Sequence, residues 1–171
     1  MAFFYAPNTM NHEQTLRHLR RANAVAQRAA SLGRHPFGAL LVAPDGETVL
    51  AEQGNIDTVQ HAEATLARTA SLNYARDYLW DCTLVTTFEP CAMCAATAYW
   101  ANIGHIVYGA SEEALLELTG NSDENPPLNM PCRQVVAAGQ KAITVEGPFA
   151  ELTEEMVEPH RGFWQAPGPK P

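Results

Sequence analysis

The sequence predicts an α/β fold, a three-layer α/β/α sandwich around a mixed central sheet of about five strands. Three observations carry that prediction. Short runs rich in β-branched residues alternate with stretches of helical periodicity. The first two runs are joined by a tight turn, and the later ones are separated by whole helices, as crossover connections require. The chain has 171 residues, a mass of 18.7 kDa and 46% hydrophobic side chains, enough for one domain with a real core and too little for two large ones. That domain is expected to span 1–165, with the Pro-rich tail 166–171 frayed.

Residues 11–32 place Leu16, Leu19, Ala22, Ala26 and Ala29 three or four apart, with Asn11 as N-cap and Gly33 as the stop, the pattern of an amphipathic helix. Runs 37–43 and 48–52 flank Pro44, Asp45 and Gly46 and read as an antiparallel hairpin. A helix near 61–72, a strand at 83–87, a helix near 91–101 and a strand at 105–108 follow. Such alternation implies a sheet covered on both faces. Beyond Ser111 the pattern weakens to a short helix over 112–118, a loop over 119–131, a strand at 142–145 and a closing helix over 153–163. Glu151, Glu154, Glu155 and Glu158 are expected to form the wet face of that last helix.

Lys and Arg number 11 against 19 Asp and Glu, a formal net charge of −8, which works against a partner gripped along its phosphate backbone. Lys occurs only at positions 141 and 170, so no long nucleic-acid footprint is expected. No run approaches the roughly 18 apolar residues that cross a bilayer, and residues 1–7 lack the charge and apolar length of a signal peptide. The expectation is therefore a cytoplasmic protein with no membrane partner. In a reducing compartment the close pair Cys91 and Cys94 points to metal or redox chemistry, whereas Cys82 and Cys132 read as buried thiols.

His61, Cys91 and Cys94 offer one imidazole and two thiolates from two segments, three of the four ligands of a tetrahedral zinc shell. Structural sites usually draw all four ligands from protein. The missing fourth favours one catalytic Zn2+ per chain with a position left for water. Both motifs sit where a loop or strand end enters a predicted helix, and helix amino termini favour thiolate over thiol. Pro90 suits that entry because it lacks the N–H that a helix start leaves unpaired. Glu63, two residues past His61, is close enough to touch a metal-held water and is the natural proton carrier. A redox or structural cysteine pair beside an unrelated surface His and Glu is the competing reading.

The pairing of His61, Ala62 and Glu63 with Pro90, Cys91 and Cys94 is similar to the signature of the zinc deaminases. Over roughly residues 35–110 the chain resembles the cytidine-deaminase-like superfamily, in the branch that holds guanine deaminases, tRNA adenosine deaminases and fungal-type cytosine deaminases. The resemblance implies a zinc-activated hydroxide adding to the ring carbon that bears an exocyclic amine. Glu63 would carry the proton first to a ring nitrogen and then to the departing nitrogen. A homodimer acting on a small nucleobase is also implied. Residues 36–39 and 99–101 look more like guanine deaminases than like tRNA deaminases, so guanine, giving xanthine and ammonia, is the first expected substrate.

The same resemblance assigns substrate contacts to Asn55, Phe37, Ala62 and Glu89. Asp123 and Glu124 stand where guanine deaminases present a carboxylate to the N–H groups of the base. Trp164, in the aromatic run after His160, would fold over the pocket as a lid, although core or dimer packing explains these rings equally well. Trp100 is read as core or subunit packing. The chain departs from relatives in the short stretch 56–60 between Asn55 and His61, which forms one wall of the expected pocket. Other amino-heterocycles, a nucleoside or a cytosine-like base are alternatives. Further off stand tRNA adenosine, which the surface charge opposes, and a zinc-stabilised binding scaffold, which an intact Glu63 opposes.

Overall fold

The computed structural model describes residues 10–120 and 126–165. In chain order it contains α1 (His12–Ser31), β1 (Gly38–Val42), β2 (Val49–Gly54), α2 (Ala62–Asn73), α3 (Arg76–Trp80), β3 (Thr83–Phe88), α4 (Ala92–Trp100), β4 (His105–Ala110), α5 (Glu112–Thr119), α6 (Cys132–Ala137), β5 (Thr144–Glu146) and α7 (Thr153–Val157). The strands form one sheet in the order β2-β1-β3-β4-β5. Strand β1 runs antiparallel to both β2 and β3, while β3, β4 and β5 are mutually parallel. This is the mixed five-strand α/β architecture that the alternation of periods predicts.

Helices on both faces explain why β1 and β3 are buried along their whole length. The two-residue period of β1 divides its side chains between two cores. Ala39 and Leu41 pack with Leu66, Ala70 and Ala98 on the α2 and α4 face. Leu40 and Val42 pack with Leu19, Val25 and Met156 on the α1 and α7 face. Helix α1 starts at a capping box in which Gln14 N donates to Asn11 Oδ1 and Asn11 N donates to Gln14 Oε1, each at 2.8 Å. It ends before Gly33, whose φ of +76° suits glycine.

Several expectations need correction in the second half of the chain. The closing helix does not run through 153–163: α7 stops at Val157 and a 3-10 turn, Glu158–His160, takes over. Pro159 has no N–H and its ring obstructs the α-helical ladder, which accounts for the break. Helices α3 and α6 are additional, and the last strand is displaced to Thr144–Glu146. Trp100 is 75% exposed and so takes no part in the core of the chain. Cys82 and Cys132 are buried, and burial pushes both thiols up to about 12. Glu154 and Glu158 pair with Arg161, Glu155 with Arg20 and Glu151 with His12, all at the surface, where such pairs contribute little. Among the described residues no helix is long and apolar enough to cross a membrane.

Candidate active site

Two helix starts meet at the edge of the sheet where β2 and β3 end and β1 begins. His61 is the N-cap of α2 and Cys91 the N-cap of α4, both with extended backbone, so each side chain projects from the mouth of its helix. Cys94 follows one turn into α4 and is fully buried. Cys91 Sγ, Cys94 Sγ and His61 Nδ1 stand 3.5 Å apart in every pair. Zn–S bonds near 2.3 Å and Zn–N bonds near 2.1 Å at a tetrahedral angle separate the donors by about 3.6–3.8 Å, so the cluster fits zinc. The group whose donor atoms all lie within 4.8 Å of one another comprises these three residues and does not include Glu63.

The loop before His61 completes the geometry. Asp57 Oδ1 accepts from Val59 N and Gln60 N, and Ile56 N donates back to Gln60 O, which closes the short stretch on itself. Those N–H groups, Gln60 first, hold the Asp57 carboxyl below the usual carboxylate range. His61 Nε2 lies 3.0 Å from Thr58 O, so Nε2–H donates to the carbonyl and Nδ1 is left with its lone pair toward the sulfurs. Cys91 is pulled well below the ordinary thiol range, first by the hydrogen bond from Cys94. Cys94 moves the other way.

Glu63 is the second residue of α2 and is buried. Its Oε1 accepts from Thr86 Oγ1 at 2.7 Å, and its Oε2 lies 3.6 Å from Cys94 Sγ, at the border of the ligand cluster. Burial drives its carboxyl above the usual range, partly offset by Thr86. Thr86 was not among the sequence candidates. Its signal was shared by the three buried threonines of β3, Thr83, Thr86 and Thr87, whose hydroxyls must each find a partner.

The remaining candidates are placed as follows. Asn55 is 1% exposed; Nδ2 donates to Asp57 O at 3.0 Å, and Oδ1 has no partner among the described residues. Its backbone N donates to Phe37 O, and the Phe37 ring lies edge-on to Phe88 and His160. Ala62 is buried at the start of α2. Glu89 accepts from Cys132 N through Oε2, tying the end of β3 to the start of α6. Trp164 Nε1 donates to His160 Nδ1 at 3.0 Å and its ring lies 4.6 Å from that of His35. Asp123 and Glu124 lie outside the described residues, as does the tail 166–171. The sequence reading also passed over Glu112, whose carboxyl is raised by burial first and then by the charges of Glu89 and Cys91.

Residues 12–110 match the family model of the cytidine and deoxycytidylate deaminase zinc-binding region. A probable cytosine deaminase of Schizosaccharomyces pombe is 38% identical over 156 residues, which covers 89% of this chain and 93% of that protein. Guanine deaminase of Bacillus subtilis is 38% identical over 106 residues, 59% of this chain and 65% of that one. The structure of a guanine deaminase from Nitrosomonas europaea superposes with a TM-score of 0.66 at 19% identity, over 94% of this chain and 89% of its own, a likeness of fold. The mixed sheet, the two motif helices and the full-length relative converge, and the chain belongs to the cytidine and deoxycytidylate deaminase family of zinc-binding hydrolases.

Proposed function

We propose that the protein hydrolytically deaminates a free nucleobase, guanine first, releasing ammonia and xanthine. The observation that carries this reading is the carboxylate of Glu63 beside a three-donor cluster that fits zinc and has no fourth protein ligand among the described residues. Zinc held by His61, Cys91 and Cys94 would supply a Lewis acid that makes a water acidic near neutral pH. Everything else is the work of the chain. Burial raises the affinity of the Glu63 carboxylate for a proton, so it can take one from water and return it first to a ring nitrogen and then to the amine as it leaves. Water adds its oxygen to the ring carbon, the C–N bond breaks, and nitrogen departs as ammonia. Asn55 Oδ1, buried with no described partner, is suited to accept from a ring N–H of the base. Glu89 and the Phe37, His160 and Trp164 rings form the adjoining walls in this reading.

Cytosine is the second reading, favoured by the Schizosaccharomyces pombe relative, whose likeness extends over nearly the whole of both chains. A net charge of −8 works against tRNA as substrate. Ammonia release from guanine, guanosine, cytosine, cytidine and adenine, measured on the zinc-loaded protein, separates these readings. Guanine should respond most strongly, and Glu63→Ala should keep its zinc while losing at least about 100-fold in turnover. A dominant response to cytosine selects the second reading, and an active Glu63→Ala protein removes Glu63 from the mechanism.

A further inference from the structure

We infer that Thr86 is a positioning residue, the tether that holds one oxygen of Glu63 in the sheet, presents the other to the metal corner, and keeps the carboxylate out of the ligand set. The inference rests on the reading of Glu63 as proton carrier. Thr86 is fully buried in the middle of β3, where every neighbouring position is also buried. Its hydroxyl donates to Glu63 Oε1 at 2.7 Å, which leaves Oε2 as the oxygen 3.6 Å from Cys94 Sγ. A carboxylate oxygen 3.6 Å from one sulfur of a three-donor cluster that fits zinc has the chemistry of a fourth zinc ligand. Coordinated there, it would close the corner that hydrolysis needs open and could no longer carry a proton.

Two features make the hydrogen bond a restraint. Both partners are buried, so water does not compete for Oε1, and the donor sits on a central strand paired on both sides, through Ala39 of β1 and Tyr108 of β4. The strand fixes where the hydroxyl is, and the hydroxyl fixes the rotation of the carboxylate. The neighbouring Thr87 is engaged elsewhere: its Oγ1 accepts from Gly38 N.

The test compares Thr86→Val, which removes the hydroxyl and keeps the branched shape, with Thr86→Ser, which keeps the hydroxyl. Loss of an outer-shell partner of this kind is expected to lower kcat by about 10- to 100-fold in Thr86→Val, with KM changed much less and Thr86→Ser close to wild type. A second readout needs no turnover. Zinc transfer from the loaded protein to a chelator should be about 10-fold slower in Thr86→Val, and Glu63→Ala in the same chain should restore the wild-type rate. Equal zinc release from Thr86→Val and wild type overturns the inference, as does equal impairment of the Val and Ser variants. A protein that released ammonia from no base would defeat the proposed function, while the chelator experiment would still decide the role of Thr86.

Discussion

His160 is 1% exposed, and its Nδ1 accepts the Trp164 indole N–H, an arrangement open only to the neutral ring. Burial drives its pKa down to about 4. An unfolded histidine titrates near 6.5. Between those values the unfolded chain binds the proton that the folded chain refuses, so stability falls as pH drops from about 6.5 toward 4, and this contribution has no effect above that window. At pH 5 the loss amounts to about 2 kcal/mol relative to pH 7. His160→Phe keeps an aromatic ring against Phe37 and Phe88 and removes the titration. Urea unfolding at pH 7 and pH 5 should therefore show a smaller drop for the variant than for wild type. Equal drops would mean that His160 protonates freely in the folded state.

At the scale of elements, the packing of α1 on β1 depends on a missing side chain. A Cβ at Gly38 would run into the backbone carbonyl of Ala22 and the backbone nitrogen of Ala26, neither of which can rotate away. The helix must therefore lift from the strand if any side chain is introduced. Gly38→Ala is expected to cost about 1–3 kcal/mol, seen as a lower urea midpoint with an unchanged slope. Zinc content should stay at the wild-type level, because the ligands come from α2 and α4 on the opposite face. Loss of zinc together with stability would show that the two faces of the sheet are coupled.

For the whole molecule, a metal at His61, Cys91 and Cys94 joins two helices that are about thirty residues apart in sequence, His61 to Cys91. Ligands that bind only the folded state stabilise by mass action, about 2.7 kcal/mol at a free concentration 100 times the Kd. Chelation should therefore lower the melting temperature of the zinc-loaded protein. Cys91→Ser should start from the lower temperature and not respond to the chelator. A wild-type protein whose melting curve ignores both zinc and chelator would argue that the three donors hold no ion.

The periodicities by themselves determined the mixed α/β sheet, the amphipathic first helix, the hairpin and the two motif helices, because the local rules for helix starts, turns and strand alternation agree there. The ligand types and their spacing also determined that three donors could gather. What they could not show is the rest of the site. Glu63 meets Thr86 only because a helix is laid across a strand twenty-three residues away, and Glu89 meets Cys132 across forty-three. No period or spacing encodes such contacts. The helices α3 and α6 escaped for a related reason: elements of five or six residues bury too little surface to impose a pattern, and their limits are set by the core they pack on. The break at Pro159 is different, since the proline that ends α7 is itself a local signal in the sequence. Tertiary structure alone oriented the carboxylate of Glu63, since that orientation is fixed by a buried donor on another element.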